Sequence, residues 1–486
     1  MTEPTINKNQ NKLGTDRMAG SGTLKRSLNL LYVYAIATGA ILTFIGYWDG
    51  NFLTLAGPAT FLGFAIMTLM VLPIAFIYAE LSTMLPSVGA ELVYGTVGLN
   101  KHMGFWASWM ILAAWMAVPP AAIMGIVSWI DRVMHLGLSI EKIAVIGGVV
   151  LVLYTWISLR DIQLAGQIQT GMLVFGILGC TITAILFLIS GNWSWENFQP
   201  FFRSALNGGG ETGNGGMWGW VMGTAVLIGP FFGFETVPQM VEEGNFPIKD
   251  QGKAILGSVV TCGALYVLFF FALAGMGDWE FLTGNGTYAP FAALNVMDKL
   301  GWPVAYAIYF GIAGILCTIG TCILGFWLST VRLLYAMGRQ NFLPKVFAKC
   351  NKYHQPIAPN VFLLVISLAS LILMNTTSFL NDFYMLMAFS CATAYFIVCI
   401  AAINLARKHP EWERPFKLKG GQTFRILALI DALLIAWLCT LGQNIKSWKA
   451  LSVYLISGAV LWVWMLLFKW TKEKVWMRTP EGEKDF

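Results

Sequence analysis

Charge is scarce in this 486-residue chain. Charged residues make up 12% of the sequence, whereas hydrophobic residues make up 57%. A soluble domain carries about a quarter charged residues, so the composition excludes an ordinary soluble enzyme, a disordered protein and a nucleic-acid-binding protein. The apolar runs are about 20 residues long rather than alternating strands of about 10, which predicts an all-α polytopic membrane protein.

Metal-binding and nucleophilic patterns are also missing. The eight cysteines form no CxxC pair, seven of them lie inside apolar runs, and the four histidines are scattered. Neither a disulfide framework nor a metal site is predicted. The apolar segments contain no Ser/His/Asp, HExxH or paired-carboxylate arrangement, so we do not expect an enzyme.

Twelve membrane spans are predicted. They are divided into a first inverted repeat of five helices (28–190), a second repeat of five helices (218–405) and two extra helices (424–468), between tails at 1–27 and 469–486. The predicted spans are 28–48, 53–79, 103–130, 141–158, 164–190, 218–240, 254–276, 302–334, 358–375, 380–405, 424–442 and 450–468.

The basic residues predict the orientation. With both termini inside, 25 of the 31 lysines and arginines fall on or next to cytoplasmic segments. Positive charge is enriched on the cytoplasmic side of membrane proteins. We therefore expect a multi-pass protein of the cytoplasmic membrane with both termini in the cytoplasm.

Two of the predicted spans carry helix-breaking residues near their middles. Helix 1 has Thr38, Gly39 and Ala40, and helix 6 runs from Gly229 through Pro230 to Glu235. Transporters commonly bind substrate where two helices in corresponding halves are unwound at mid-membrane. The alternative is that these small residues serve only close helix packing.

Glu235 is the most informative single residue, because an ionisable group inside a span normally faces a cavity or a partner. It is a candidate for proton coupling or gating, and the alternative is a hydrogen-bonded acid that pins the unwound segment. Helix 3 contributes Trp115 and a proline pair beginning at Pro119, which frees backbone carbonyl groups. In helix 8, Thr318 and Thr321 share one face and could bind sodium or substrate, or bond their own backbone.

Four stretches resemble the amino acid–polyamine–organocation superfamily of permeases. The first includes Ala56–Ala59 and Tyr78–Gly89 with Tyr94, and the second runs from Phe231 to Pro247 with paired acids. The third is Arg332–Pro344 and the fourth is Arg414–Lys417. The resemblance implies a leucine-transporter-like fold of five-plus-five helices and two more, alternating access, and transport of amino acids or amines.

The same resemblance implies a substrate site. Residues of helices 1, 3 and 6 would line it, helix 1 facing a carboxylate and the aromatic residues of helices 3 and 6 facing an ammonium group, whereas Glu80 and Glu91 would belong to the cytoplasmic side. The predicted substrate-binding residues are Thr38, Gly39, Ala40, Ile41, Ala114, Trp115, Pro119, Phe231, Phe232, Gly233 and Phe234.

The sequence departs from the family pattern in two places. The usual third glycine of helix 1 is Ala40, whose methyl group would obstruct a substrate carboxylate and so favours an amine or an amino acid bound in a different pose. Helix 5 (164–190) has no lysine or arginine, which excludes the coupling used by members with a lysine there.

We therefore predict a secondary transporter, working as a symporter or antiporter, for a small amino acid or related amine. Its partners would be that small molecule and the lipid bilayer, with H⁺ or Na⁺ as a coupling ion and no other cofactor. An amine/amino acid exchanger and a receptor that has lost transport but kept the pocket remain alternatives. The sequence leaves the substrate, the direction of transport and the oligomeric state open.

Overall fold

A computed structural model describes residues 24–374, 379–441, 443 and 445–486, and the side chains among them outside 374–387. Most of the predicted N-terminal tail lies outside the described residues. The helices and strands are α1 (Leu30–Ile41), α2 (Asp49–Ala56), α3 (Thr60–Met84), α4 (Ala90–Gly98), α5 (Lys101–Met134), α6 (Ile140–Ser158), α7 (Ile162–Ile189), α8 (Gly216–Val226), α9 (Thr236–Gln239), α10 (Gln251–Ala274), α11 (Trp279–Thr283), α12 (Ala292–Lys299), α13 (Val304–Gly311), α14 (Thr318–Arg339), α15 (Ile357–Met374), α16 (Phe379–Lys408), α17 (Gly421–Leu438), α18 (Ile445–Trp464), β1 (Trp476–Thr479) and β2 (Gly482–Asp485).

The predicted fold class is confirmed. Among the described residues, ten helical segments are long and apolar enough to span a membrane, and there are two shorter apolar helices, α1 and α15, so the predicted number of twelve passes is approximately supported. Burial separates central from peripheral passes: 94% of the most apolar stretch of α5 is buried, but only 17% of that of α18. The apolar surface left on α18 is suited to contact with lipid.

Successive passes connect two opposite faces of the bundle. We call the face that carries Leu28, α4 and the β1–β2 hairpin the tail face, and the face that carries α2, α11 and α12 the loop face. The predicted tail at 469–486 includes this antiparallel hairpin, with Trp476 opposite Asp485. No strand is predicted from the sequence in this segment.

The predicted boundary between the first two spans is wrong. The predicted second span began at residue 53, but α2 (Asp49–Ala56) continues the first pass, and α3 begins at Thr60. Gly57 makes the turn with φ +60°, and a Cβ atom on it would lie 2.2 Å from the Arg203 carbonyl oxygen. Only glycine fits such a turn without strain.

The eighth pass begins and ends later than predicted and is not uniformly α-helical. It extends over Val304–Arg339 rather than 302–334, and residues Ile312–Cys317 form a π-helical segment between α13 and α14. Such segments within α-helices are frequent at functional sites. This one directly precedes Thr318.

Candidate functional site

The first interruption separates α1 from α2. The predicted break at Thr38–Ala40 is wrong by about one helical turn, since α1 continues to Ile41 and residues 42–48 are not helical. The Thr38 carbonyl still accepts the Leu42 amide at 2.9 Å, which keeps the helix intact through this segment. Beyond it, the Ile41 carbonyl accepts the Tyr266 hydroxyl of α10 at 2.5 Å. The same carbonyl accepts the Thr43 amide at 2.9 Å, so a side chain of another helix and a local turn together replace its lost helical partner.

The second interruption separates α8 from α9, as the Gly229–Glu235 motif predicted. A short 3₁₀ turn at Gly229–Phe231 occupies the gap, and Gly233 has φ +140°. A Cβ atom on Gly233 would lie 2.9 Å from the Ala40 Cβ atom and 3.0 Å from the Ile41 amide nitrogen. The unwound segment between α8 and α9 thus lies directly against the last turn of α1, and glycine permits this close approach.

Glu235 joins three parts of the site. Its carboxylate accepts the Gly233 amide at 2.9 Å, the Trp115 indole N–H at 3.1 Å and the Tyr395 hydroxyl at 3.0 Å, and its side chain is fully buried. These bonds tie the unwound segment to α5 and α16. The acid holds the break in shape, and it is also an ionisable group at the centre of the bundle.

Aromatic rings surround this carboxylate. Phe234 packs against Tyr78 and Tyr395 with ring centroids 5.4 Å away in each case, and the ring of Phe232 lies 5.8 Å from that of Tyr395. The Phe231 ring instead packs against Tyr266, at 5.9 Å. All eleven predicted substrate-binding residues are buried: Thr38, Gly39, Ala40, Ile41, Ala114, Trp115, Pro119, Phe231, Phe232, Gly233 and Phe234.

Both prolines of the α5 pair are accommodated within a continuous helix. Residues Lys101–Met134 are helical through Pro119 and Pro120. Neither proline can donate to the carbonyl four residues earlier, so the carbonyls of Trp115 and Met116 lose their usual helical partners. Trp115 therefore contributes an indole N–H to Glu235 and a carbonyl with free acceptor capacity in the same turn.

A polar cluster lies on the other side of α1. Thr318 donates to the Gly314 carbonyl of its own helical segment at 2.8 Å, and Thr321 donates to Thr318 at 2.8 Å and to the Gly39 carbonyl at 3.4 Å. Gln169 of α7 donates from its amide nitrogen to the Thr321 carbonyl at 2.8 Å and to a carbonyl of α1 at 3.3 Å. This cluster links α1, α7 and α14.

Sequence reasoning missed Gln169, Tyr395 and Tyr266. Gln169 is one of two amide side chains in the predicted span 164–190, and only the structure shows that Gln169 is buried whereas Gln167 is exposed. Tyr266 and Tyr395 resemble ordinary aromatic residues of membrane helices, and only the packing of distant helices shows which hydroxyl reaches the breaks.

The tail face is closed by buried ion pairs, which we call the tail latch: Glu242 with Arg339 and Glu243 with Arg332. Arg339 donates to both Glu242 oxygens at 2.6 and 2.7 Å, and Arg332 donates to both Glu243 oxygens at 2.5 and 2.9 Å. Burial alone would raise the pKa of Glu242, but the Arg339 charge and its hydrogen bonds hold that pKa below its usual value.

Asp49 closes the loop face. Its fully buried carboxylate accepts the amide of Gly50 at 2.8 Å and the amides of Ala292 and Ala293 at 2.8 and 3.0 Å. One acid therefore caps the N-termini of both α2 and α12, where unpaired amides favour an anion. The loop that carries α11 and α12 is thereby held over the first interruption.

Comparisons with known proteins identify the family. The amino acid permease family profile matches residues 28–466. The chain is 25% identical over 435 residues to the methylthioribose transporter of Bacillus subtilis, covering 84% of this chain and 86% of that protein. It is 24% identical over 454 residues to the branched-chain amino acid permease BcaP of Lactococcus lactis, covering 90% and 92%.

A solved structure shares the fold. The manganese transporter of Eremococcus coleocola superposes with a TM-score of 0.58 at 11% identity, covering 93% of this chain and 98% of that one. The fold, the helix interruptions and the profile match across nearly the whole chain agree: the chain belongs to the amino acid permease family, within the amino acid–polyamine–organocation superfamily, and is a multi-pass membrane transporter rather than an enzyme.

Proposed function

We propose that this protein is a secondary transporter that moves a small amino acid or related amine by alternating access. The observation that carries the proposal is the packing of the second interruption against the last turn of α1, with Gly233 against Ala40 and the buried Glu235 beside them. Interrupted helices direct free amides, carbonyls and helix dipoles at one point, which suits a small polar substrate.

The residues at this point favour an ammonium group over a carboxylate. The Ala40 methyl group faces Gly233, so it narrows the gap in which a carboxylate would approach the α1 backbone. Phe232, Trp115 and Phe234 are predicted to attract a cation through their ring faces, worth ~0.5–2 kcal/mol. The named relatives transport different cargo, so these residues, rather than the family, suggest the substrate class.

In this proposal the tail face is cytoplasmic, because most of the basic residues lie on that side. Glu235 is the coupling or gating residue. The Gln169 amide already donates to carbonyls of α1 and α14, and the hydroxyls of Thr318 and Thr321 donate to backbone carbonyls. A hydroxyl that donates keeps its lone pairs for a cation, and the Gln169 Oε1 atom has no hydrogen-bond partner among the described residues, so these contacts leave both H⁺ and Na⁺ as candidate coupling ions.

Thermal melting of the purified protein with a panel of amino acids and their decarboxylated amines tests the proposal. A specific ligand at 100 times its Kd adds ~2.7 kcal/mol to stability when it binds only the folded state. We expect amines to raise the melting temperature more than their parent amino acids. Stabilisation by intact amino acids alone would contradict the argument that Ala40 favours an amine. If no compound in the panel raises the melting temperature, the whole proposal is contradicted.

Uptake into proteoliposomes separates the remaining alternatives. A secondary transporter driven by an ion gradient accumulates the labelled ligand in empty vesicles. An exchanger takes it up only when the vesicles are preloaded, and a receptor binds without uptake. The Glu235→Gln variant, assayed in parallel, is expected to retain binding and lose the gradient dependence.

A further inference from the structure

A second buried acid lies near the site. Glu91 of α4 has no solvent exposure; its Oε2 atom accepts the Gln239 amide at 2.8 Å, whereas its Oε1 atom has no hydrogen-bond partner among the described residues. The ion pairs found in the described part of the chain leave Glu91 without a lysine or arginine. Burying an ionised carboxylate without a cation costs several kcal/mol, so a proton on Glu91 stabilises this closed form.

Two tyrosine hydroxyls accompany Glu91. Tyr78 of α3 and Tyr94 of α4 are fully buried, their ring centroids are 6.1 Å apart, and both lie within electrostatic reach of the Glu91 carboxyl. Neither hydroxyl has a hydrogen-bond partner within the described ranges. Buried polar atoms of this kind are the usual binding sites of internal water. We call Glu91, Tyr78 and Tyr94 the buried polar cluster.

One end of the buried polar cluster adjoins the candidate site. The Tyr78 ring lies 5.7 Å from that of Tyr395, whose hydroxyl donates to Glu235. The Glu91 and Glu235 carboxyl groups are close enough to repel each other when both are ionised. Tyr78 and Cys391 of α16 also lie within electrostatic reach of both acids. Two neighbouring buried acids are most stable when at least one is protonated.

The other end adjoins the tail latch. Gln239, which binds Glu91, also accepts the Gly89 amide at 3.0 Å. The next residues outward, Val88 and Ser87, donate to Glu242 at 3.1 and 3.3 Å. The segment that separates Glu91 from the tail face is therefore held in place by the same carboxylate that pairs with Arg339, so opening of this pair would expose Glu91 to water.

We propose that Glu91 is a proton-relay residue that connects Glu235 to the tail face, and this proposal rests on the transporter function proposed above. A proton leaves the Glu235 carboxyl as another O–H bond forms on Glu91, with the tyrosine hydroxyls and bound water carrying it between them. When the tail latch opens, Glu91 releases this proton to water. No oxidant or reductant is needed, and each acid alternates between its protonated and ionised forms.

The test measures proton flux and exchange separately in proteoliposomes. The probe is an equimolar mixture of the twenty standard amino acids and their decarboxylated amines, with the pH dye pyranine inside the vesicles and radiolabelled mixture for uptake. In Glu91→Gln, which keeps the side-chain shape but cannot carry a proton, substrate-driven proton flux should fall by roughly 100-fold. Exchange of labelled for unlabelled mixture should continue within about twofold, because the rocking motion and the substrate site are unchanged.

Thr96→Val is the matched control, because Thr96 is also buried in α4 with no hydrogen-bond partner among the described residues. It should retain proton flux. Tyr78→Phe is the second relay variant, used in particular if Glu91→Gln does not fold, and it should lower proton flux while keeping exchange.

The following outcomes would each contradict the proposal. Proton flux retained in Glu91→Gln, or in Tyr78→Phe where Glu91→Gln does not fold, would remove Glu91 from the path. Loss of exchange together with proton flux would show a merely structural role. Wild-type uptake without proton flux would overturn the relay alone, whereas the absence of wild-type uptake would overturn the proposed function and the relay with it.

Discussion

The two faces of the bundle are closed by different chemistry. The tail face is held by fully or nearly buried arginine–glutamate pairs, with side-chain exposures of 0% for both Arg332 and Glu243. The buried centre of the loop face is held by Asp49, which accepts only backbone amides, and the ion pairs of this face, Arg132–Asp298 and Arg203–Glu280, have exposed carboxylates (64% and 46%). The tail face thus depends on the joint placement of opposite charges on different helices, and the loop face depends on helix ends that gather around one anion.

This difference indicates how each face can open. A buried charge pair must separate as a unit and be hydrated, since either charge left alone is strongly unfavourable. A capping carboxylate can release one helix N-terminus while it stays bound to another, because each of its hydrogen bonds to a backbone amide contributes less than a buried ion pair. We therefore expect the tail face to open in an all-or-none manner and the loop face to yield in smaller steps.

The largest predicted effect is at Arg332. Replacing Arg332 with methionine leaves Glu243 as an uncompensated buried charge, and we expect a loss of ~3–5 kcal/mol in stability. Thermal melting of the purified protein measures it. The double variant Arg332→Met with Glu243→Gln is the control and should recover much of the loss, whereas a single variant as stable as wild type would contradict the account of the tail latch.

A smaller effect is predicted at Asp49. Asp49→Ala leaves three buried amides without their acceptor. We expect a loss of ~1–3 kcal/mol in stability, the range for removing a helix cap and its hydrogen bonds. Asp49→Asn keeps one acceptor oxygen and should lie between Ala and wild type. Melting temperatures order the three proteins, and a loss at Asp49→Ala that exceeds the Arg332→Met loss would reverse the comparison.

The smallest effect is a pH dependence at Glu242. Its pKa is lowered from the usual 4.5, so its pairing with Arg339 contributes stability above pH 4.5 and loses it as the pH falls through the lower folded-state pKa. One such proton contributes at most ~1.4 kcal/mol per pH unit. Melting curves across acidic pH should show a shallower decline in Glu242→Gln than in wild type. Equal slopes would exclude Glu242 as a source of acid sensitivity.

Several features of the fold were predictable from sequence because they depend on local composition. The long apolar runs predicted the membrane-spanning helices, and Pro230 between two glycines predicted the break between α8 and α9. The break in helix 1 was misplaced because Gly39 serves packing: a Cβ atom there would lie 2.4 Å from the Gln169 side chain and 2.6 Å from that of Thr321. The observed break begins after Ile41, where the Tyr266 hydroxyl of α10 donates a hydrogen bond to the Ile41 carbonyl.

The site was predictable only in part. Trp115, Gly233 and Glu235 were named in advance, and the structure joins all three by hydrogen bonds. Tyr395 is 160 residues from Glu235 in sequence, and its role follows only from the packing of α16 on the break. The double capping role of Asp49 likewise requires α12, which begins 243 residues later, to fold back over α2.

The central claim is that substrate binds where the interrupted helices meet, and equilibrium binding of the best ligand to Gly233→Ala tests it most directly. A Cβ atom there would press on Ala40 and Ile41, whereas Gly171 of α7 has open space within 4 Å, so Gly171→Ala is the matched control. The account predicts that a folded Gly233→Ala protein loses binding and that Gly171→Ala keeps the wild-type affinity. Wild-type affinity in both variants would contradict it.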